Sequence, residues 1–228
     1  MHSSGVRLRD MQRLKSFNFG KLELFRLVTG PVQENCYLLR HDSGAAILVD
    51  PGEDAADILE LVKKTNSSVI AILLTHAHFD HVGAVQATRE ALNVDVWLHP
   101  EARGQYDQSH LAAQRWNMPF TQPEAPDEEL QSGTWKLGEL ELEVLFTPGH
   151  AQGHVSLYSK PGGFVLSGDA LFKSGIGRTD LPGSDHNTLI SSIRTQLFTL
   201  PGETTVFSGH GEETTIANEI PNLSRFEG

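Results

Sequence analysis

Val69-Ile70-Ala71-Ile72-Leu73-Leu74 is an unbroken apolar run, β-branched at its start, that ends directly at Thr75-His76-Ala77-His78-Phe79-Asp80-His81. A strand with no polar alternation is buried on both faces, as in parallel sheets covered by helices. It also delivers four potential metal ligands, within six positions, to a strand end. Loops at strand ends are where α/β proteins place their sites.

The flanking sequence fits such a fold. Strands are expected at 22–28, 36–39 and 46–49, closed by Thr29-Gly30-Pro31, His41-Asp42-Ser43-Gly44 and Asp50-Pro51-Gly52. Helices follow at 54–64, with Asp54 as the expected cap, and at 84–92, then a strand at 94–98. Residues 101–116 read as helical, and 118–129, with three prolines and four acids, as an irregular, flexible surface loop. Strands at 140–146, 155–158 and 164–167, a helix at 187–199 and a strand at 205–208 echo the first half. The fold class is α/β with two similar halves.

With 228 residues, the chain has room for one full core without staples. Residues 1–16 are set aside as an N-terminal extension, tag-like at His2-Ser3-Ser4-Gly5 with Met11 as a natural start, and 17–228 are read as a single domain. Lys plus Arg number 18 against 29 Asp plus Glu, a net charge of −11, the wrong sign for neutralising phosphates, so nucleic acid is not an expected partner. One cysteine, Cys36, excludes an internal disulfide and fits a reducing cytoplasm. No apolar run approaches the ~20 residues of a membrane helix, and no signal peptide is legible.

In the His-rich loop, His76 and His78 can converge on one cation while Asp80 and His81 project towards a second. Burying these groups unpaired would cost on the order of several kcal/mol. His150, Asp169 and His210 follow strand ends in Thr147-Pro148-Gly149-His150, Ser167-Gly168-Asp169 and Ser208-Gly209-His210-Gly211, where small residues permit close backbone approach. His154 is either a partner to a ligand or a satisfied core histidine. His99, His110 and His186 read as surface or turn residues. Trp116, Phe120 and Trp135 flank the proline-rich stretch, and core or dimer packing is preferred to a cleft wall.

Taken together, these segments resemble the metallo-β-lactamase fold and, within it, the glyoxalase II-like hydrolases, over residues 22–219. The resemblance implies an αββα sandwich with the site at one edge. It implies that His76, His78 and His150 hold one divalent metal, that Asp80, His81 and His210 hold another, and that Asp169 bridges them. Zn²⁺, Fe or Mn suits such a set, zinc being the first expectation. His78 stands where flavodiiron oxidases have Glu, and Asp169 is a bridge that zinc β-lactamases usually lack. The implied reaction is attack of a hydroxide shared by the two metals on a thioester of a low-molecular-weight thiol, with Asp80 orienting the hydroxide. Arg178 aligns with a basic residue that holds the thiol's peptide portion in glutathione-using members. It either binds a substrate carboxylate or pairs with Asp180 to brace its loop. Asp180 replaces a tyrosine of those members, and 18 residues after His210 leave no helical C-terminal domain, which makes room for another thiol. The alternative is a persulfide dioxygenase with a single iron, which shares the Gly177-Arg178-Thr179-Asp180 loop.

Overall fold

A computed structural model describes residues 13–226. Seven strands form one sheet in sequence order: β1 Leu14–Phe19, β2 Leu22–Thr29, β3 Glu34–His41, β4 Ala45–Val49, β5 Ser68–Leu73, β6 Val96–Leu98 and β7 Glu128–Glu129. The first four pair antiparallel and the last four parallel. The second sheet has the order β15-β14-β11-β10-β9-β8, built from β8 Gly133–Leu137, β9 Leu140–Phe146, β10 Val155–Ser159, β11 Phe164–Gly168, β14 Thr205–Ser208 and β15 Thr214–Thr215. A small hairpin pairs β12 Leu171–Phe172 with β13 Gly175–Ile176.

Alternation of side chains along the strands sorts the core into three layers. Leu39, Ile47 and Leu73 meet Leu142, Leu157 and Leu166 between the sheets. The intervening Leu38, Leu48 and Ile72 face outward onto Ile58, Leu61 and Val62 of helix α1 (Ala55–Lys64) and Val85 of α2 (Val85–Leu92). On the far side, Val165 and Val206 pack on Leu189, Ile190 and Ile193 from α4 (His186–Ser192) and the wider turns after it. Helices therefore cover both outer faces of two stacked sheets, the expected αββα sandwich. Among the described residues no helix is long and apolar enough to cross a membrane.

Several local expectations change. Residues 14–16, set aside with the extension, form the start of β1, where Phe17 and Phe19 pack on Phe207 and Phe164. The tag-like residues and Met11 lie outside the described residues. Asp54 precedes α1 but does not cap it by a side-chain bond. It sits in the left-handed region, and its carboxylate accepts from the Gly30 N–H and from Arg13 instead. The 101–116 helix breaks into a 3₁₀ turn, one turn at Arg103–Tyr106, and α3 (Ser109–Arg115). The break buries both Tyr106 and Ser109. The proline-rich stretch is pinned at its start by Gln122, whose amide donates to the Tyr106 carbonyl, and closes with β7. His99 is not a surface residue: it is buried, stacks on Phe146 with ring centroids 4.7 Å apart, and accepts from the Glu101 N–H. His110 bonds Gln122, and His186 bonds Thr179 and the Phe226 carbonyl.

Candidate metal centre

Parallel pairing of β4 with β5, and of β11 with β14, brings four strand ends to one rim. Asp50 and Asp169 follow β4 and β11 directly, Thr75-His76 follow β5 after Leu74, and Gly209-His210 follow β14. The Val155 N–H donates to the Thr75 carbonyl (2.8 Å), and the Asn35 N–H to the Gly209 carbonyl (2.7 Å), so the rim is tied across both sheets. Two glycines make the approach possible. Gly168 has φ +48°, and a Cβ there would fall 2.6 Å from Thr75 Oγ1; at Gly209 it would fall 2.2 Å from Asp169 Oδ1.

The seven residues singled out in sequence come together as two triads around Asp169. His76, His78 and His150 form one group and Asp80, His81 and His210 the other. In the first, His78 Nδ1 lies 3.1 Å from His76 Nε2 and 2.9 Å from His150 Nε2. In the second, His210 Nε2 lies 3.3 Å from Asp80 Oδ2. Asp169 stands between: Oδ1 is 3.5 Å from His81 Nε2, while Oδ2 is 3.5 Å from His150 Nε2 and 3.6 Å from His210 Nε2.

Outer hydrogen bonds decide which nitrogens carry protons. The Thr75 hydroxyl donates to Asp50 Oδ2, so its oxygen is free to accept from His76 Nδ1–H. His81 Nδ1–H donates to Asp50 Oδ2, His150 Nδ1–H to the Arg178 carbonyl, and His210 Nδ1–H to the Gln33 carbonyl. Each of these four imidazoles therefore turns Nε2 inward, the arrangement by which proteins orient metal-binding histidines. His154 accepts the Asp169 N–H on Nε2 and bonds Thr147 through Nδ1, so it holds the acid from behind.

Imidazole nitrogens and carboxylates that converge in a buried site form a donor set suited to a cation between them. His81 Nε2 and Asp169 Oδ1 are buried with no hydrogen-bond partner. Burial, reinforced by neighbouring imidazoles, keeps His76 well below the usual imidazole range, and burial with His150 pushes His78 down to about 3, so both remain neutral donors of electron pairs. Burial works against ionised Asp169, but His81 foremost outweighs it and holds that carboxyl well below its usual range. Nitrogen and carboxylate donors in this mixture fit Zn²⁺, Fe or Mn.

Sequence reasoning noted Asp50-Pro51-Gly52 as a loop without giving Asp50 a task. Asp50 is buried with φ +49° and accepts from the Thr75 N–H, the Thr75 hydroxyl and His81. The available signal was an acid directly after a strand end, the same placement as His150, Asp169 and His210. Glu34 was also missed: it pairs by backbone with His210, accepts from the Thr29 hydroxyl, and burial raises its carboxyl well above the usual range.

A cleft of about 940 Å³ opens onto His78, Asp80, His150, Asp169 and His210. Arg178 lines it, with Nε and one Nη bonded to Asp180 at 2.7 and 2.8 Å. Trp116 also lines it and is 56% exposed, whereas Phe120 and Trp135 pack in the core.

A family model described as the metallo-beta-lactamase superfamily matches residues 29–210, the span that contains all seven side chains. The chain is 41% identical over 196 residues to the probable metallo-hydrolase YqgX of Bacillus subtilis (strain 168), covering 85% of this chain and 92% of that one. It is 35% identical over 190 residues to hydroxyacylglutathione hydrolase GloC of Haemophilus influenzae, covering 82% and 90%. Among solved structures it is similar to BLEG-1 B3 metallo-beta-lactamase (TM-score 0.85, 38% identity, 90% of this chain and 100% of that one). It is likewise similar to TTHA1623 in a di-iron-bound form (TM-score 0.80, 44% identity, 86% and 96%).

Proposed function

The chain belongs to the metallo-beta-lactamase superfamily, and from that membership we propose a metal-dependent hydrolase acting on acyl thioesters of a low-molecular-weight thiol. The observation that carries this reading is the carboxylate of Asp169 set between two triads, 3.5–3.6 Å from the inward nitrogens of His81, His150 and His210. His76, His78 and His150 would hold one divalent cation, Asp80, His81 and His210 a second, with Asp169 shared. Bound there, such a pair supplies Lewis acidity and water acidic enough to ionise near neutral pH.

The chain's own residues do the rest. Asp50, Thr75 and the Arg178 and Gln33 carbonyls fix the imidazole tautomers, and His154 fixes the backbone of Asp169. Asp80 lines the cleft, where its carboxylate would orient the attacking hydroxide. A thiol leaving group, with a pKa near ~8.5, needs no general acid. Arg178 keeps N–H groups beyond those bonded to Asp180, which can reach a substrate carboxylate. The relative named hydroxyacylglutathione hydrolase supports a thioester, and a reducing cytoplasm suits a thiol carrier. Zinc is the first expectation, with iron or manganese as alternatives.

Likeness to BLEG-1 supplies a second reading, β-lactam hydrolysis. Metal quantification alongside a panel of thioesters, a β-lactam and a persulfide separates the possibilities. The proposal requires two metals per chain and preferred turnover of thioesters. A preference for the β-lactam, or one iron with oxygen uptake on the persulfide, refutes it.

A further inference from the structure

Resting on the thioester reading, we infer that Leu111, Arg115 and Trp116 form the specificity wall of the cleft, selecting a substrate that carries both an apolar chain and a carboxylate. Helix α3 is anchored by its buried side chains. Ser109 and Ala113 are buried, and the Ser109 hydroxyl reaches the Ala77 carbonyl (3.1 Å) in the ligand loop itself. That anchoring turns Leu111, Arg115 and Trp116 into the cleft.

Two features single out this wall. Of the five exposed large apolar side chains among the described residues, three line this one cleft: Val32, Leu111 and Trp116. Scattered exposed apolar residues mean little, but their concentration in one concavity marks a binding surface. Charge gives the second feature. Apart from the candidate ligands, the charged side chains lining the cleft are Arg115 and Arg178, with no acid among them, in a chain whose net charge is −11. Arg178 is engaged by Asp180, whereas Arg115 forms no ion pair or hydrogen bond among the described residues. A free guanidinium beside an exposed indole matches a ligand that carries a carboxylate and an apolar segment together. The cleft is of small-molecule size and continuous with the triads, so its occupant is the substrate.

Calorimetric titration of the wild type with three thioethers, none of which has a scissile bond, tests this wall. The probes are 3-(hexylthio)propanoate, 3-(hexylthio)propan-1-ol and 3-(methylthio)propanoate. The hexyl acid is expected to bind about tenfold or more tightly than either analogue, a difference of about 1.4 kcal/mol. Arg115→Gln should remove most of the acid's advantage over the alcohol, and Trp116→Ala should bring hexyl to the level of methyl, with unchanged circular dichroism. Equal or absent binding of the three probes overturns the inference. So does an acid preference undiminished by Arg115→Gln, since the carboxylate would then be held by Arg178 or at the metal centre. A dimer that Trp116→Ala splits into monomers overturns it as well. If these preferences hold but the metal-loaded protein cleaves no thioester, only the proposed reaction falls.

Discussion

His81, at the candidate metal centre, is fully buried and tied to Asp50, whereas Trp116, on the wall of the same cleft, is more than half exposed and its indole is bonded to nothing among the described residues. The contrast extends to their neighbours. Asp169 is held by its own backbone through His154 and surrounded by three imidazoles, while Arg115 stands unpaired at the end of a seven-residue helix. A reactive centre has to be organised before substrate arrives, because misplacement of the groups around the reacting atoms is costly in rate. A recognition wall acquires its partners from the substrate, so its side chains can remain exposed until then. One cleft thus joins a rigid centre to an open surface that distinguishes substrates.

Substitution at the centre should have the largest effect. Asp80→Asn, His81→Ala or Asp169→Asn is expected to lower kcat by more than the ~100-fold typical of outer partners, with the fold retained by circular dichroism. Full kcat in any of them, with metal present, would dissolve the contrast. Metal addition to chelated wild-type protein should stabilise it by about 2.7 kcal/mol at a free concentration one hundred times Kd, read as a rise in Tm. The same addition to the Asp169→Asn variant should raise Tm less, and an equal rise would remove Asp169 from the site. Next come the outer partners. Asp50→Asn and His154→Gln are expected to cost ~10–100-fold in metal affinity or activity, measured by competition with a chromogenic chelator and by initial rates. Arg178→Ala should have the smallest effect. It should raise KM for a carboxylated thioester several-fold at nearly constant kcat, and an unchanged KM would leave Arg178 only its brace to Asp180.

Much of this was legible because the physical signals were local. The run at 69–74 announced a doubly buried strand, and β5 carries Ala71 and Leu73 into one core layer and Ile72 into another. Ligand residues announced themselves by type and by strand-end glycines. Asp54 occupies the N-cap position as expected, but tertiary contacts with Gly30 and Arg13 claimed the carboxylate that local propensity would have turned to the cap. The long helix at 101–116 was overestimated for a similar reason, since burial of Tyr106 and its bond to the Glu124 carbonyl favoured a break over continuity.

Residue order alone determined the α/β class, the strand endings and seven candidate ligands, because periodicity, turn chemistry and donor type reside within short stretches of chain, while the layering was what the family resemblance implied. Tertiary structure decided that Asp169 stands between the triads, that Asp50 and His154 orient them, and that Leu111, Arg115 and Trp116 face the same cleft. Those relations join residues as far apart as Asp50 and His81, or His78 and His150. They arise only when strand pairing and sheet stacking bring distant strand ends to one rim.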